Sequence, residues 1–378
     1  MKKDKDSGRQ GSDTSRDRDS SATGTAVKDG YKATDSSAST RDAVVRSAAN
    51  TKDANLALSQ PPPINLQSAA DCVHPEVEPD CSGGFCRIPA GCFIMGSPRD
   101  EPYACKYSCI QVQVTLTHDF EIGETEVTRE QWSSVGWEQP EYNRLVGEGE
   151  CLEPSCPVAN VTSLDAMAFA NRFSELKGFR PCYEFSGCSG EIGKDYICES
   201  VLIAAQNAYH CEGYRLPYEA EWEYAGRAGT RTALYSGDVL PENPEADYCF
   251  REPNLEDVAW YCNNSNGRAH PIAQKRPNAW GLHDIHGNMA EWCNDLYKAY
   301  PTGPLVDPTG VQNPGRELRP PEVERSDGVF CRVFRSAGHL SSTASIKINA
   351  RSCSGDDHPS GASSGTGFRL ARTLVPTQ

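Results

Sequence analysis

The chain has 378 residues and a formal net charge of −15, which argues against nucleic acid or an anionic membrane surface as a partner. No run approaches the roughly 18 apolar residues needed to span a bilayer. All 17 cysteines lie between Cys72 and Cys353 without a C-x2-C knuckle, so disulfides closing short loops fit better than zinc and point to an oxidising compartment.

Residues 1–70 contain one aromatic, Tyr31, and no cysteine or histidine, and they end near the QPPP run at 60–63. Such a segment buries too little apolar surface to offset its ordering entropy and reads as a disordered polar tether. Residues 71–376 then form one domain. The opening MKKDKDSGRQ has basic residues but no apolar stretch, so no signal peptide is visible in this chain.

The folded part begins with GGFCRIPAGCFIMGS (83–97), short apolar pieces broken by Pro and Gly. In IQVQVTLTHDFEIGETEVT (110–128), Val112, Val114 and Leu116 alternate with polar residues, the pattern of a half-buried strand. TREQWSSV follows as a short helix. VTSLDAMAFANRFSELKG (161–178) is the clearest helix: Thr162 and Asp165 have capping-box spacing and Gly178 is placed to stop it. The Cys-rich stretch 181–212 shows no helical period. YRLPYEAEWEYAGRAG (214–229) reads as another helix with Pro217 at its first position. Beyond it the chain is rich in Asn, Gly, Pro and Trp. The expected class is α+β with little regular secondary structure, stapled by disulfides that include Cys151/Cys156 and Cys188/Cys198. The odd cysteine count leaves at least one thiol unpaired.

Five stretches, IPAGCFIMGS, IGETEVTREQW, YRLPYEAEWEYAGRAG, NAWGLHDIHGNMAEWCNDLY and GTGFRLAR, occur in an order that resembles the formylglycine-generating enzyme (sulfatase-modifying factor) family over residues 84–372. The resemblance implies that family's fold, related to C-type lectin-like folds, with structural calcium. It also implies an ancestral activity: copper- and oxygen-dependent oxidation of a sulfatase cysteine, in a C-x-P-x-R segment, to formylglycine.

Working members carry two cysteines, spaced C-x4-C, before the closing GFR motif, and soft sulfur ligands select Cu(I). Here the stretch reads RSAGHLSSTASIKINARS (335–352). Counting back from ARS puts Gly338 and Thr343 at the cysteine positions; counting forward from Arg335 puts Ser341 and Ile346 there. Neither register contains sulfur, so copper is not expected and no catalytic residue is assigned. For calcium, the resemblance points to His286, Gly287, Met289 and Glu291 around the DIHGN turn, with Asn264 at a second site. His283 and His286 also raise a transition-metal site, against hydrogen-bonded structural roles. Arg369 is expected in a buried ion pair or on carbonyls.

Three functions follow. The first is an extracytoplasmic binding or scaffolding module for a protein, peptide or glycan, associated with the cell envelope through its tether. The second is a related oxidoreductase with other active-site groups, such as His339, or His358 beside Asp356 and Asp357. The third is a formylglycine-generating oxidase with relocated ligands, Cys331 and Cys353.

Overall fold

Short strands and loops dominate the computed structural model, which describes residues 72, 74–98, 111–140, 151–240, 249–297, 300–310, 331–355 and 365–374. The 1–70 tether, Cys105 and Cys109, and Asp356, Asp357 and His358 lie outside the described residues. The first seven strands are β1 (Cys81–Ser82), β2 (Phe85–Ile88), β3 (Gly91–Met95), β4 (Val112–Leu116), β5 (Phe120–Gly123), β6 (Tyr183–Ser186) and β7 (Ser200–Ile203). They are followed by β8 (Ala259–Trp260), β9 (His286–Gly287), β10 (Ala290–Leu296), β11 (Leu305–Val306), β12 (Cys331–Arg335), β13 (Arg351–Gly355), β14 (Thr366–Gly367) and β15 (Ala371–Thr373). The helices are α1 (Arg129–Ser134), α2 (Ser163–Leu176), α3 (Glu219–Arg227) and α4 (Pro253–Glu256).

Two four-stranded sheets, β1-β2-β5-β15 and β13-β12-β10-β14, and a three-stranded sheet, β11-β4-β3, form the framework, with β6-β7 and β8-β9 as small pairs. Val112, Val114 and Leu116 all turn inward, as their alternation requires. The closing GFRLAR segment joins both larger sheets: β14 runs parallel to β10, and β15 pairs antiparallel to β5.

Local chemistry sets the helix ends. Thr128 caps α1 through a box with Gln131, and Thr162 caps α2 through a box with Asp165. Gly178, two residues past the end of α2, has φ +81° and lets the chain turn away. Helix α3 departs from the sequence reading. It starts at Glu219, with Pro217 outside it and Tyr218 as its N-cap. Asp295, on β10, accepts the Glu219 N–H at 2.6 Å, and Glu221 reaches back to the Tyr218 N–H at 2.8 Å. A distant carboxylate thus supplies the cap that Tyr218 lacks.

Trp132, Phe169, Trp292 and Phe368 belong to one buried cluster, with Trp132 stacked on Phe169 at 5.6 Å. Phe93, Phe120, Trp222 and Tyr224 belong to a second, and Leu234, Leu255, Tyr261 and Ile346 to a third. The Cys-rich stretch folds as the β6-β7 hairpin and a 3-10 turn, Ala208–His210. Cys182–Cys211 and Cys188–Cys198 are bonded there. Cys72–Cys92, Cys81–Cys86, Cys151–Cys156 and Cys249–Cys262 are bonded elsewhere. Cys293 is free and buried on β10.

Candidate functional site

The segment where the resemblance places catalytic sulfur leaves β12 at Arg335. This guanidinium is fully buried and donates to Glu219 at 2.8 Å, to Glu223 at 2.5 Å and to the Ile348 carbonyl at 2.6 Å. Glu219 and Glu223, four residues apart, share one face of α3 and so meet the same arginine. Burial would raise the Glu223 carboxyl, but Arg227 and Arg335 outweigh it and hold Glu223 below the usual carboxylate range. Glu221 faces elsewhere and pairs with buried Arg215 at 2.7 Å. The loop after Arg335 is therefore rooted in a buried ionic frame.

Ser336 turns this loop with φ +63°. A Cβ built on Gly338 would stand 2.9 Å from the Gly365 carbonyl oxygen, too close for any side chain without backbone movement. Thr343 is buried and donates its hydroxyl to the Phe250 carbonyl at 2.6 Å. In the other register, the Ser341 carbonyl accepts from the Cys262 N–H, and Ile346 packs in the third core cluster. Cys353 lies opposite Val333 on β13 and is disulfide-bonded, so it offers no thiolate. Burial, with Asp295 and Glu219 nearby, pushes the Cys293 thiol well above its ordinary value, which makes it inert as a nucleophile or soft ligand.

The expected calcium ligands His286, Gly287, Met289 and Glu291 lie along β9, the following turn and β10, and Asn264 lies in the turn after β8. Gly287 has φ +77°, and a Cβ there would meet the Trp260 carbonyl oxygen at 2.1 Å, so only glycine fits. Two of the expected side chains are otherwise engaged. Glu291 accepts from Arg369 Nε and Nη2 at 2.6 and 2.7 Å, and from Trp222 Nε1 at 2.7 Å. Asn264 closes its own turn, accepting from the Tyr261 N–H and donating to the Ala259 carbonyl, each at 3.0 Å. The His286 ring is fully buried and its Nε2 accepts from the Tyr235 N–H, while His283 Nδ1 bonds the Lys275 carbonyl. These two histidines hold separate structural bonds. Arg369 also donates to the Gly123, Glu124 and His283 carbonyls, joining both modes expected of it.

Two carboxylates absent from the sequence reading face the same region. Glu126, 1% exposed, accepts from Asn288 through Oε1, and its Oε2 is buried without a partner. Asp284, fully buried with φ +57°, accepts from the Ala273 N–H through Oδ2, and its Oδ1 is likewise unpartnered. Burial first, then Asp284 and Glu291, push the Glu126 carboxyl well above its ordinary value; Asp284 is raised chiefly by burial. Glu126, Asp284 and Glu291 act on one another with Arg369 among them, and the crowding favours the protonated forms of Glu126 and Asp284. Unpartnered buried carboxylate oxygens beside an irregular turn are a donor set for a hard cation. Among the described residues no three His, Cys, Asp or Glu side chains form a chelating group, so backbone carbonyls would have to complete such a site. Glu126 in IGETEVT and Asp284 at the head of DIHGN were visible in the motifs, but their burial was not.

A separate cavity of about 490 Å³ opens between Cys72, residues 74–78, Phe93, Ile94, residues 228–231 and Trp280. His74, Glu76, Glu78 and Arg231 give it polar walls, and no residue of 335–346 lines it.

The model of the sulfatase-modifying factor enzyme 1-like domain matches residues 73–374. The formylglycine-generating enzyme of Streptomyces coelicolor is 28% identical over 340 residues, 84% of this chain and 96% of that one. Chaperone protein LppX of Paenibacillus barcinonensis is 31% identical over 194 residues, 50% of this chain and 66% of its own length. Among solved structures, Treponema denticola variable protein 1 is similar with a TM-score of 0.56 and 27% identity, covering 79% of this chain and all of that one (100%). PvdO from Pseudomonas aeruginosa shares the fold at a TM-score of 0.53, 21% identity and coverage of 79% and 98%. With the five motifs in order and the family model matched across nearly all described residues, the chain belongs to the sulfatase-modifying factor family.

Proposed function

We propose that this domain is a non-catalytic, extracytoplasmic member of its family that serves as a binding or scaffolding module. The observation that carries the reading is the loop after Arg335. Gly338 is packed on the Gly365 backbone, Thr343 is bonded to Phe250, Ile346 is in the core, and neither register supplies a thiol. A hydroxyl does not replace a thiolate on Cu(I). Six disulfides and the further bonded Cys353 support an oxidising location, and no helix among the described residues is long and apolar enough to cross a membrane. The cavity beside Trp280 supports a protein, peptide or glycan ligand. The likeness to a relative named as a chaperone favours a protein partner. Calcium, where bound, would be held by Glu126 and Asp284 with backbone carbonyls of the 286–289 turn, and would neutralise their charge.

The test is a turnover assay with a C-x-P-x-R peptide, copper, oxygen and a reductant, beside a working formylglycine-generating enzyme. Mass spectrometry should find the peptide cysteine unchanged while the control converts it. Conversion to the aldehyde by this chain would establish an oxidase instead.

A further inference from the structure

One wall of the cavity beside Trp280 is a strap of chain fastened at both ends. Residues 74–80 form neither helix nor strand, yet Cys72–Cys92 ties the chain before them to β3, and Cys81–Cys86 ties the chain after them to β2. Between these staples, His74 stacks on Tyr224 at 4.8 Å, and Tyr224 meets Trp280 edge-on at 5.0 Å. The Asp80 carbonyl accepts the Arg87 N–H at 2.8 Å. Pro75 and Pro79 stiffen the span and keep His74 and Glu78 out of the helical region. Glu76, Val77 and Glu78 are exposed. Among the described residues nothing bonds their backbone, and nothing pairs with the two carboxylates. A strap held at its ends and left unbonded in its middle is a preorganised edge, whose ordering cost does not fall on the binding step.

Glu76 and Glu78 line the cavity together with His74, Ile94, Arg231 and Trp280. Arg231 already donates to the Cys72 carbonyl at 3.3 Å. Burial, with Arg227 nearby, lowers His74 to about 4, so its imidazole is neutral at physiological pH. Two unpaired carboxylates against one engaged guanidinium leave the local balance negative. We propose that this cavity binds a basic peptide segment, with a Lys or Arg side chain received by Glu76 and Glu78 and the peptide main chain paired to the open backbone of residues 76–78. Addition of a peptide to a free edge draws affinity from main-chain hydrogen bonds and specificity from the pocket beside it. A long basic side chain suits this pocket, because its methylene stem can lie on the apolar wall of Val77, Ile94 and Trp280 while its head stays with the charge. The volume of about 490 Å³ falls within the roughly 300–1,000 Å³ of ligand pockets. The open peptide groups favour a peptide over a glycan, and the chain's net charge of −15 steers a basic one toward it. This names the ligand class of the binding-module reading and rests on it.

The experiment is isothermal titration calorimetry of the full chain with a synthetic Lys-Val repeat peptide, its Glu-Val counterpart and maltohexaose. One Lys-Val peptide per chain is expected to bind, with affinity falling as salt rises, while the other two do not. N-methylation of the Lys-Val peptide on alternate residues keeps its charge, removes main-chain donors and should weaken binding. Glu76→Gln with Glu78→Gln should weaken it about tenfold, the worth of two solvent-facing ion pairs, with unchanged circular dichroism. Glu175→Gln with Glu191→Gln removes the same charge from exposed sites elsewhere and should leave binding intact. No binding of the Lys-Val peptide by wild type, equal loss in the two double variants, unchanged binding after N-methylation, or maltohexaose binding in its place would overturn the assignment. These outcomes bear on the ligand alone; aldehyde formation in the turnover assay would overturn the non-catalytic reading and leave the calorimetry unmoved.

Discussion

At the scale of single residues, charge and space settle what each position can do. His118 sits 3.3 Å from Asp307 and 3.6 Å from Glu221. Burial opposes its charge, but the two neighbouring carboxylates outweigh it, and its pKa is pushed up to about 9. A folded-state value above the unfolded one means the stabilisation is complete below the ordinary histidine range and is lost as pH rises through about 9. His118→Gln should therefore lower the melting temperature at pH 6 more than at pH 10, as measured by calorimetry across that range. Gly338→Cys makes the opposite case, since its Cβ would meet the Gly365 carbonyl oxygen at 2.9 Å. Restoring sulfur by Gly338→Cys with Thr343→Cys should cost roughly 1–3 kcal/mol of stability through overpacking. The same variant should give no aldehyde from the peptide.

At the scale of elements, α3 anchors the site, because its carboxylates fasten the strands that carry the loop. Arg335→Ala would leave Glu219 and Glu223 buried without this partner, although Arg351 and Arg227 still pair with them. Removing one member of a buried pair costs about 3–5 kcal/mol. Urea unfolding should show a loss of that order, and adding Glu223→Gln should recover part of it. The capping box of α2 and the inward face of β4 were legible because each depends on residues within a few positions of one another. The start of α3 was not, because Asp295 caps it from 76 positions away. Pro217 fits a first-turn position by local preference, and that distant carboxylate overrides it. The close pairs Cys151–Cys156 and Cys188–Cys198 were readable from spacing, whereas Cys182–Cys211 and Cys249–Cys262 required the fold.

At the scale of the whole molecule, the excess of buried carboxylate around Glu126, Asp284 and Glu291 bears on global stability. If calcium offsets it, added Ca2+ should raise the melting temperature and a chelator should lower it. Saturation at 100 times the dissociation constant corresponds to about 2.7 kcal/mol. Asp284→Asn should abolish the Ca2+ response without lowering the melting temperature in chelator, because the neutral amide has no ionised form to desolvate. Scanning calorimetry in Ca2+ and in chelator checks both; equal midpoints for wild type would remove calcium from the account.

The sequence by itself determined the family, the sparse α+β class and the absence of cysteine from residues 335–352. Each of these follows from which residues occur and in what order. Only the tertiary structure decided that Glu291 is spent on Arg369 and Trp222, and that Glu126 and Asp284 hold the unpartnered oxygens. It also decided that Glu76 and Glu78 line a cavity and have no partner among the described residues. Hydrogen-bond partnership and burial arise between residues far apart in the chain. No local pattern marks which carboxylate is paired and which is left over.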